Sequence, residues 1–276
     1  MLIDYCYYTL SSITDLNRFK PLSRKGIFFR IDGKYFCEYF PWHEFGDLSC
    51  DDIILQIKKN KSLPSFLDKM ISLEKNKDSI RHRSFYNHTL DHFDLCETVK
   101  IKINKFNSNK TELFDTKKLR IDINNLFNRD EVISFWRDLP QEIRSRVEYL
   151  EDPCLFHPTD WQRLQEEGIP MATDRNDKDN DFYHFEIYKP NIDYCPIGKK
   201  DVIYSSYMGH DLGRYHSYLE LMQNGNLDLY HGIDTPNLFT DQLTLFNGIN
   251  GSLTINKSAV EEIYIFLRNL SWINLI

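Results

Sequence analysis

From residue 84 onward the chain repeats one pattern, a short apolar and β-branched run followed by a polar or helical connector. The runs SFYNHTL, ETVKIKIN, LRIDIN, VEYLED, IPMATD, FEIYKP, DVIYSSY and LDLYHGID read as eight strands. Connectors 128–146 and 210–225 carry apolar residues at the spacing of amphipathic helices. Antiparallel neighbours need only a tight turn, whereas parallel ones need a crossover, so strands alternating with helices predict a parallel sheet. The expected class is α/β: an eight-stranded parallel β/α barrel, TIM-like, with some helices shortened or missing. One helix is expected to be lost between Lys189 and Asp201, where PNIDYCPIGKK holds two prolines and a glycine.

Ahead of this series, GIFFRIDGKYFCEYF (26–40) predicts a β-hairpin turning on Asp32-Gly33, and segments 50–59 and 64–77 predict two helices. Residues 1–83 therefore read as an N-terminal α+β capping domain, and 84–255 as the shortened barrel that carries the active site. The last segment, about 256–276, reads as a helix that returns to complete the cap. Apolar residues at 41% and charged residues at 27% suit a soluble globular protein. A formal net charge of −7 disfavours nucleic acid and anionic membrane surfaces as partners. Cys6, Cys37, Cys50, Cys96, Cys154 and Cys195 are scattered without a zinc or disulfide spacing, which suits reduced thiols in the cytoplasm. No signal peptide and no membrane-spanning run is read, and no protein partner is implied.

Three of the strands finish on acids: Asp122 in LRIDIN, Glu151 in YLEDP and Asp174 in MATD. They lie about one β/α unit apart, so a barrel would present all three on one rim. Carboxylates crowded there repel one another unless a cation neutralises them. Hard oxygen donors with room for water suit magnesium, with manganese as a possible substitute.

Lysines occupy neighbouring rim positions. Lys100 and Lys102 are two apart and share a strand face, while Lys189 ends a later strand across the expected mouth. A lysine that is partly desolvated near other cations has a lowered pKa and can serve as a general base. Arg120, Asp122 and Asn124 share a face by the same period. Arg120 either orients a polar or anionic group beneath the acids or forms a structural ion pair.

Taken in order, VKIKIN, LRIDIN, YLEDP, MATD, IYKP and YSSYMGHDLG resemble the enolase superfamily, most closely its o-succinylbenzoate synthase branch, over most of the chain. RKGIFFRIDGKYFCEYFPWHEFGD (24–47) is similar to the cap hairpin and loop of that branch. The resemblance implies magnesium on Asp122, Glu151 and Asp174, Lys102 as the base, Lys189 as the facing cation and Lys100 as support. It also implies a small carboxylate substrate, 2-succinyl-6-hydroxy-2,4-cyclohexadiene-1-carboxylate, dehydrated to o-succinylbenzoate in menaquinone biosynthesis. Loops 10–26 and 40–47 would close the mouth, and the segment holding Ser205, Ser206 and Gly209 would approach the substrate carboxyl. The sequence departs from many relatives at Arg175 and Asn176, where they carry Glu-Ser.

Three other readings stay open. The same facing lysines suit racemisation of N-succinylamino acids. A degenerate barrel could persist as a scaffold, although retained acids and lysines are a costly cluster to keep without chemistry. A zinc reading on His88 and His92, four apart with His82 nearby, is the weakest, because the pair would need helical geometry in a segment that reads as strand and no third ligand has suitable spacing.

Overall fold

The computed structural model describes residues 1–13, 23–89, 97–103, 118–174, 181–193, 196, 201–235 and 238–276. It opens with an antiparallel meander, β1 (Ile3–Ser11), β2 (Ser23–Ile31) and β3 (Tyr35–Tyr39). At the β2–β3 turn Asp32 and Gly33 take φ of 50° and 73°, and the Lys34 N–H donates to the Ile31 carbonyl at 3.1 Å. Positive φ at both central residues is what an Asp-Gly primed turn requires. Strand β1 was not among the expected elements, because IDYCYYTLS mixes aromatic and polar residues without clean alternation. Nine-residue pairing with β2 supplies its stability instead.

Helix α1 (Cys50–Asn60) starts at a capping box. The Ser49 side chain accepts from the Asp52 N–H, and the Asp52 carboxylate accepts from the Ser49 N–H. It buries Ile53, Ile54 and Ile57, while α2 (Ser65–Asn76) buries Leu67, Met70 and Ile71. Both join the core that backs the capping sheet.

The next elements are β4 (Phe85–Asn87), β5 (Thr98–Lys102), β6 (Lys118–Asp122), α3 (Arg129–Asp138), α4 (Gln141–Arg144), β7 (Val147–Glu151), α5 (Pro158–Glu166) and β8 (Met171–Thr173). They are followed by β9 (Phe185–Tyr188), β10 (Asp201–Tyr204), α6 (Asp211–Asn224) and β11 (Tyr230–His231). The chain closes with β12 (Phe246–Ile249), β13 (Ser252–Ile255), α7 (Lys257–Arg268) and β14 (Ile273–Asn274).

Strands β5 to β10 form a six-stranded parallel sheet in sequence order. Six of the eight expected strands are continuous in this sheet. The first and eighth, β4 and β11, pair in parallel with each other in a separate four-stranded sheet. Among the described residues that pair is linked to the six by the isolated parallel bridges Thr89–Val99 and Ser205–Gly232 and their backbone hydrogen bonds. The unforeseen β12–β13 hairpin packs alongside: β13 pairs with the start of β4, Leu253 with Phe85 and Ser252 with Tyr86.

Connector 128–146 is helical as expected but breaks at Leu139-Pro140, where proline cannot continue the hydrogen-bond ladder. Connector 210–225 forms α6, yet its expected polar face is absent, since residues from Asp211 through Met222 are buried. The helix lies between the parallel strands and the capping layer, and several of its polar side chains are paired internally. Arg214 bonds Asp211 and reaches Asp234 at 2.7 Å, and the Ser217 hydroxyl donates to Asn191 at 2.7 Å. The last segment is helical only to Arg268. Beyond it β14 adds to the capping sheet, with Asn274 opposite Asp4. Described cysteines Cys6, Cys37, Cys50 and Cys154 are free thiols. No helix among the described residues is long and apolar enough to cross a membrane.

Glu38 on β3 ties the cap to α6. Its carboxylate accepts from the Tyr8 hydroxyl at 2.7 Å, the His210 N–H at 2.7 Å and the Gly213 N–H at 2.6 Å. Burial outweighs these donors, and with Asp211 adding repulsion the carboxyl is pushed up to about 7 from an ordinary 4.5. Between those values the folded chain holds a proton that the unfolded chain has released, so this group's stabilisation is lost as pH rises through the window. We therefore expect the Tm advantage of the parent over Glu38→Gln to shrink from about pH 4.5 to about pH 7. A pH-independent difference in thermal melts would remove Glu38 from the titration.

Candidate active site

Register places the chemistry. In the parallel ladders Lys102 stands opposite Asp122, and Asp122 opposite Glu151, at the carboxyl ends of β5, β6 and β7. Asp174 follows β8 and Lys189 follows β9, at the same ends of their strands. One pocket is lined by Lys100, Lys102, Asp122, Asn124, Glu151, Asp174, Lys189, Ser205 and Ser206, together with Phe45, His88, Met208, Gly232 and Thr235. Just past β6 the chain turns through left-handed backbone at Asn124 (φ 55°), which lines the pocket, and Asn125 (φ 57°), a region asparagine tolerates better than most side chains.

The acids and lysines are interleaved. Lys100 Nζ lies 2.6 Å from Glu151 Oε1 and 3.2 Å from Asp122 Oδ2. Burial pulls its pKa down, but Asp122 and Glu151 outweigh that and raise it well above the ordinary lysine value. Lys100 is thus a fixed ammonium rather than a base. Lys189 is paired with Asp174. Burial pushes Glu151 up to about 7 against the pull of Lys100, with Asp122 and Asp174 adding repulsion. Among the described residues no three His, Cys, Asp or Glu side chains are gathered into a metal-ligand cluster. The expected three-acid shell is not closed, because two ammonium groups hold its members as ion pairs.

The donor set nevertheless fits a hard divalent cation. All three acids line the pocket as oxygen donors, and Glu151 Oε2 is buried without a hydrogen-bond partner. A buried, unsatisfied carboxylate oxygen is costly unless something positive meets it.

The remaining expected residues divide. Asn124, Ser205 and Ser206 line the pocket, whereas Gly209 packs beside Glu38, Phe40, Asn191 and Gly213 in a separate small cavity. Gly209 is therefore corrected to the cap junction, since the chain turns away from the mouth after Met208. Arg120 is wholly buried beneath the site and bonds Glu148 at 2.6 Å, so its ion-pair alternative is the observed one. Asp152 was missed. It is buried with positive φ, accepts from the Asp174 N–H at 3.0 Å and so fixes the strand end that carries Asp174. The double acid in LEDP was its available signal. His82 meets the Tyr218 hydroxyl at 3.2 Å, away from the pocket. His92, Arg175, Asn176 and residues 14–22 of the first cap loop lie outside the described residues. From the second cap loop, Phe45 reaches the pocket.

No family model matches the chain. The chain is 23% identical to an o-succinylbenzoate synthase of Bdellovibrio bacteriovorus, across 86% of this chain and 87% of that one. An o-succinylbenzoate synthase structure from Thermosynechococcus elongatus, complexed with magnesium in the active site, superposes with a TM-score of 0.70 at 15% identity, covering 96% of this chain and 100% of that one. The L-Ala-D/L-Glu epimerase of Bacillus subtilis gives 0.66 at 12% identity, covering 92% and 95%. The muconate lactonizing enzyme of Pseudomonas putida gives 0.65 at 14%, covering 92% and 93%. The chain thus has the α/β fold of these enzymes, and the resemblance to o-succinylbenzoate synthase carried by its motifs extends over the greater part of its length.

Proposed function

We propose that the chain is an enolase-superfamily lyase with o-succinylbenzoate synthase activity, its parallel strands working as a complete eight-membered barrel under a cap formed by 1–83 and 256–276. The observation that carries this reading is the single pocket where Lys102 and Lys189 meet Asp122, Glu151 and Asp174. Asp122, Glu151 and Asp174 would hold magnesium, which when bound stabilises negative charge developing on a substrate carboxylate.

Lys102 takes the ring proton beside that carboxylate, the C–H electron pair moves into the ring, and the C–O bond to the hydroxyl breaks. The ammonium formed on Lys102 returns its proton to the departing hydroxyl, so water leaves and the aromatic ring remains. Lys189, held by Asp174, offers positive charge to the ring without exchanging a proton. Lys100 holds Asp122 and Glu151 in orientation through its two contacts. Phe45 from the cap covers the pocket and limits water entry.

The test is a magnesium-dependent assay with 2-succinyl-6-hydroxy-2,4-cyclohexadiene-1-carboxylate, expected to yield 2-succinylbenzoate. A second reading, racemisation of an N-succinylamino acid, is favoured by both lysines lining the same pocket. It requires proton exchange at Lys102 and Lys189 alike, so Lys189→Arg would abolish it. Turnover confined to the N-succinylamino acid would replace the first reading by the second.

Magnesium is further expected to raise thermal stability, by about 2.7 kcal/mol at a hundredfold excess over Kd. Glu151→Gln should lose most of that gain. An unmoved melting curve for the parent would count against the metal assignment.

A further inference from the structure

We infer that His88 is a substrate-binding residue, a neutral imidazole whose Nε2–H donates to an oxygen of the bound carboxylate substrate. The inference rests on the functional reading above. His88 lies just beyond β4 and lines the same pocket as the lysines and acids. Arg120 Nη1 stands 3.1 Å from its Nδ1. A guanidinium has only donors, so Nδ1 must accept, and the ring proton is left on Nε2. Arg120 cannot swing away to release this tautomer. Its Nε is bonded to Glu148 at 2.6 Å and its Nη1 to the Tyr230 carbonyl at 2.8 Å, with the side chain wholly buried. Burial, with Arg120, Lys100, His231 and Lys102 near, also holds the imidazole well below its usual pKa, so it stays uncharged.

The far side of the ring is kept open. Gly232 lies against it, and a Cβ there would come within 2.7 Å of Cε1 and 3.0 Å of Nε2. Among the described residues no acceptor meets Nε2. The pocket therefore holds a donor of fixed direction that, unlike the lysines, carries no charge. Such a group suits an oxygen whose position must be read without adding to the positive charge already present.

The experiment uses the full chain with magnesium and 2-succinylbenzoate, the product of the proposed reaction. Nitrogen-15 NMR of histidine-labelled protein is expected to show His88 protonated at Nε2 alone, and that proton to shift when 2-succinylbenzoate is added. In calorimetry, His88→Leu should weaken 2-succinylbenzoate by about tenfold to a hundredfold, the range for a hydrogen bond to a charged group. His88→Gln, which keeps an N–H near the same place, should recover most of that loss. A proton on Nδ1, or a folded His88→Leu that binds as tightly as the parent, would overturn the inference while leaving the functional reading intact. Failure of the parent itself to bind 2-succinylbenzoate would instead strike that reading, and the inference with it.

Discussion

Lys102→Ala is expected to lower turnover by at least about a hundredfold, the lower range for loss of a general acid-base group, while the chain stays folded. The side chain is only partly buried at the end of β5, and among the described residues it has no ion-pair partner. Its removal leaves no carboxylate stranded, so the defect should be chemical rather than structural. Unlike Lys100 and Lys189, it stands in no ion pair among the described residues, so its side chain can approach a substrate carbon without breaking one. The check pairs kcat in the magnesium assay with thermal melting. A near-normal kcat would take Lys102 out of the mechanism, and a collapsed melt would make the loss uninformative about chemistry.

Lys100→Met should fail in the opposite way, by destabilising the fold. Lys100 contacts two buried acids, and deleting it leaves Asp122 and Glu151 facing each other with Asp174 close by. Breaking a buried pair by removing one partner typically costs roughly 3–5 kcal/mol, on the order of 10 °C in Tm for a chain of this size. Glu151, already pushed up to about 7 and raised further once Lys100 is gone, can escape part of the penalty by binding a proton, so the loss should deepen as pH rises above 7. Saturating magnesium should restore part of it. Equal denaturant midpoints for Lys100→Met and parent would mean that the ammonium is not what holds these carboxylates in place.

The rim residues were legible because strand period and strand spacing act locally. LRIDIN, YLEDP and MATD each place an acid at the end of an apolar run, and parallel register then brings them together. The partner choices were not legible. Whether Lys100 sits below the acids or between them depends on rotamers set by the packed pocket. Likewise Gly209 follows the pocket serines in sequence, but a positive φ at Met208 redirects the chain toward Glu38. The β12–β13 hairpin was legible and was passed over: Asn250 and Gly251 take φ of 54° and 80°, the same primed-turn signal as Asp32-Gly33, whereas the β14 partner that covers the other edge of β1 comes from the far end of the chain, which no local pattern encodes. Helix α6 misled because its polar residues find partners inside the protein rather than in water.

The capping sheet joins Asp4 to Asn274, side chains 270 positions apart that meet at 3.3 Å. Closing so large a loop carries an entropic penalty that no short-range contact repays. The edge is therefore expected to close late, after collapse of the intervening strands and helices has brought the two segments near each other. Until β14 arrives, β1 has an open flank whose unpaired backbone groups are the place where a partly folded chain is expected to pair wrongly.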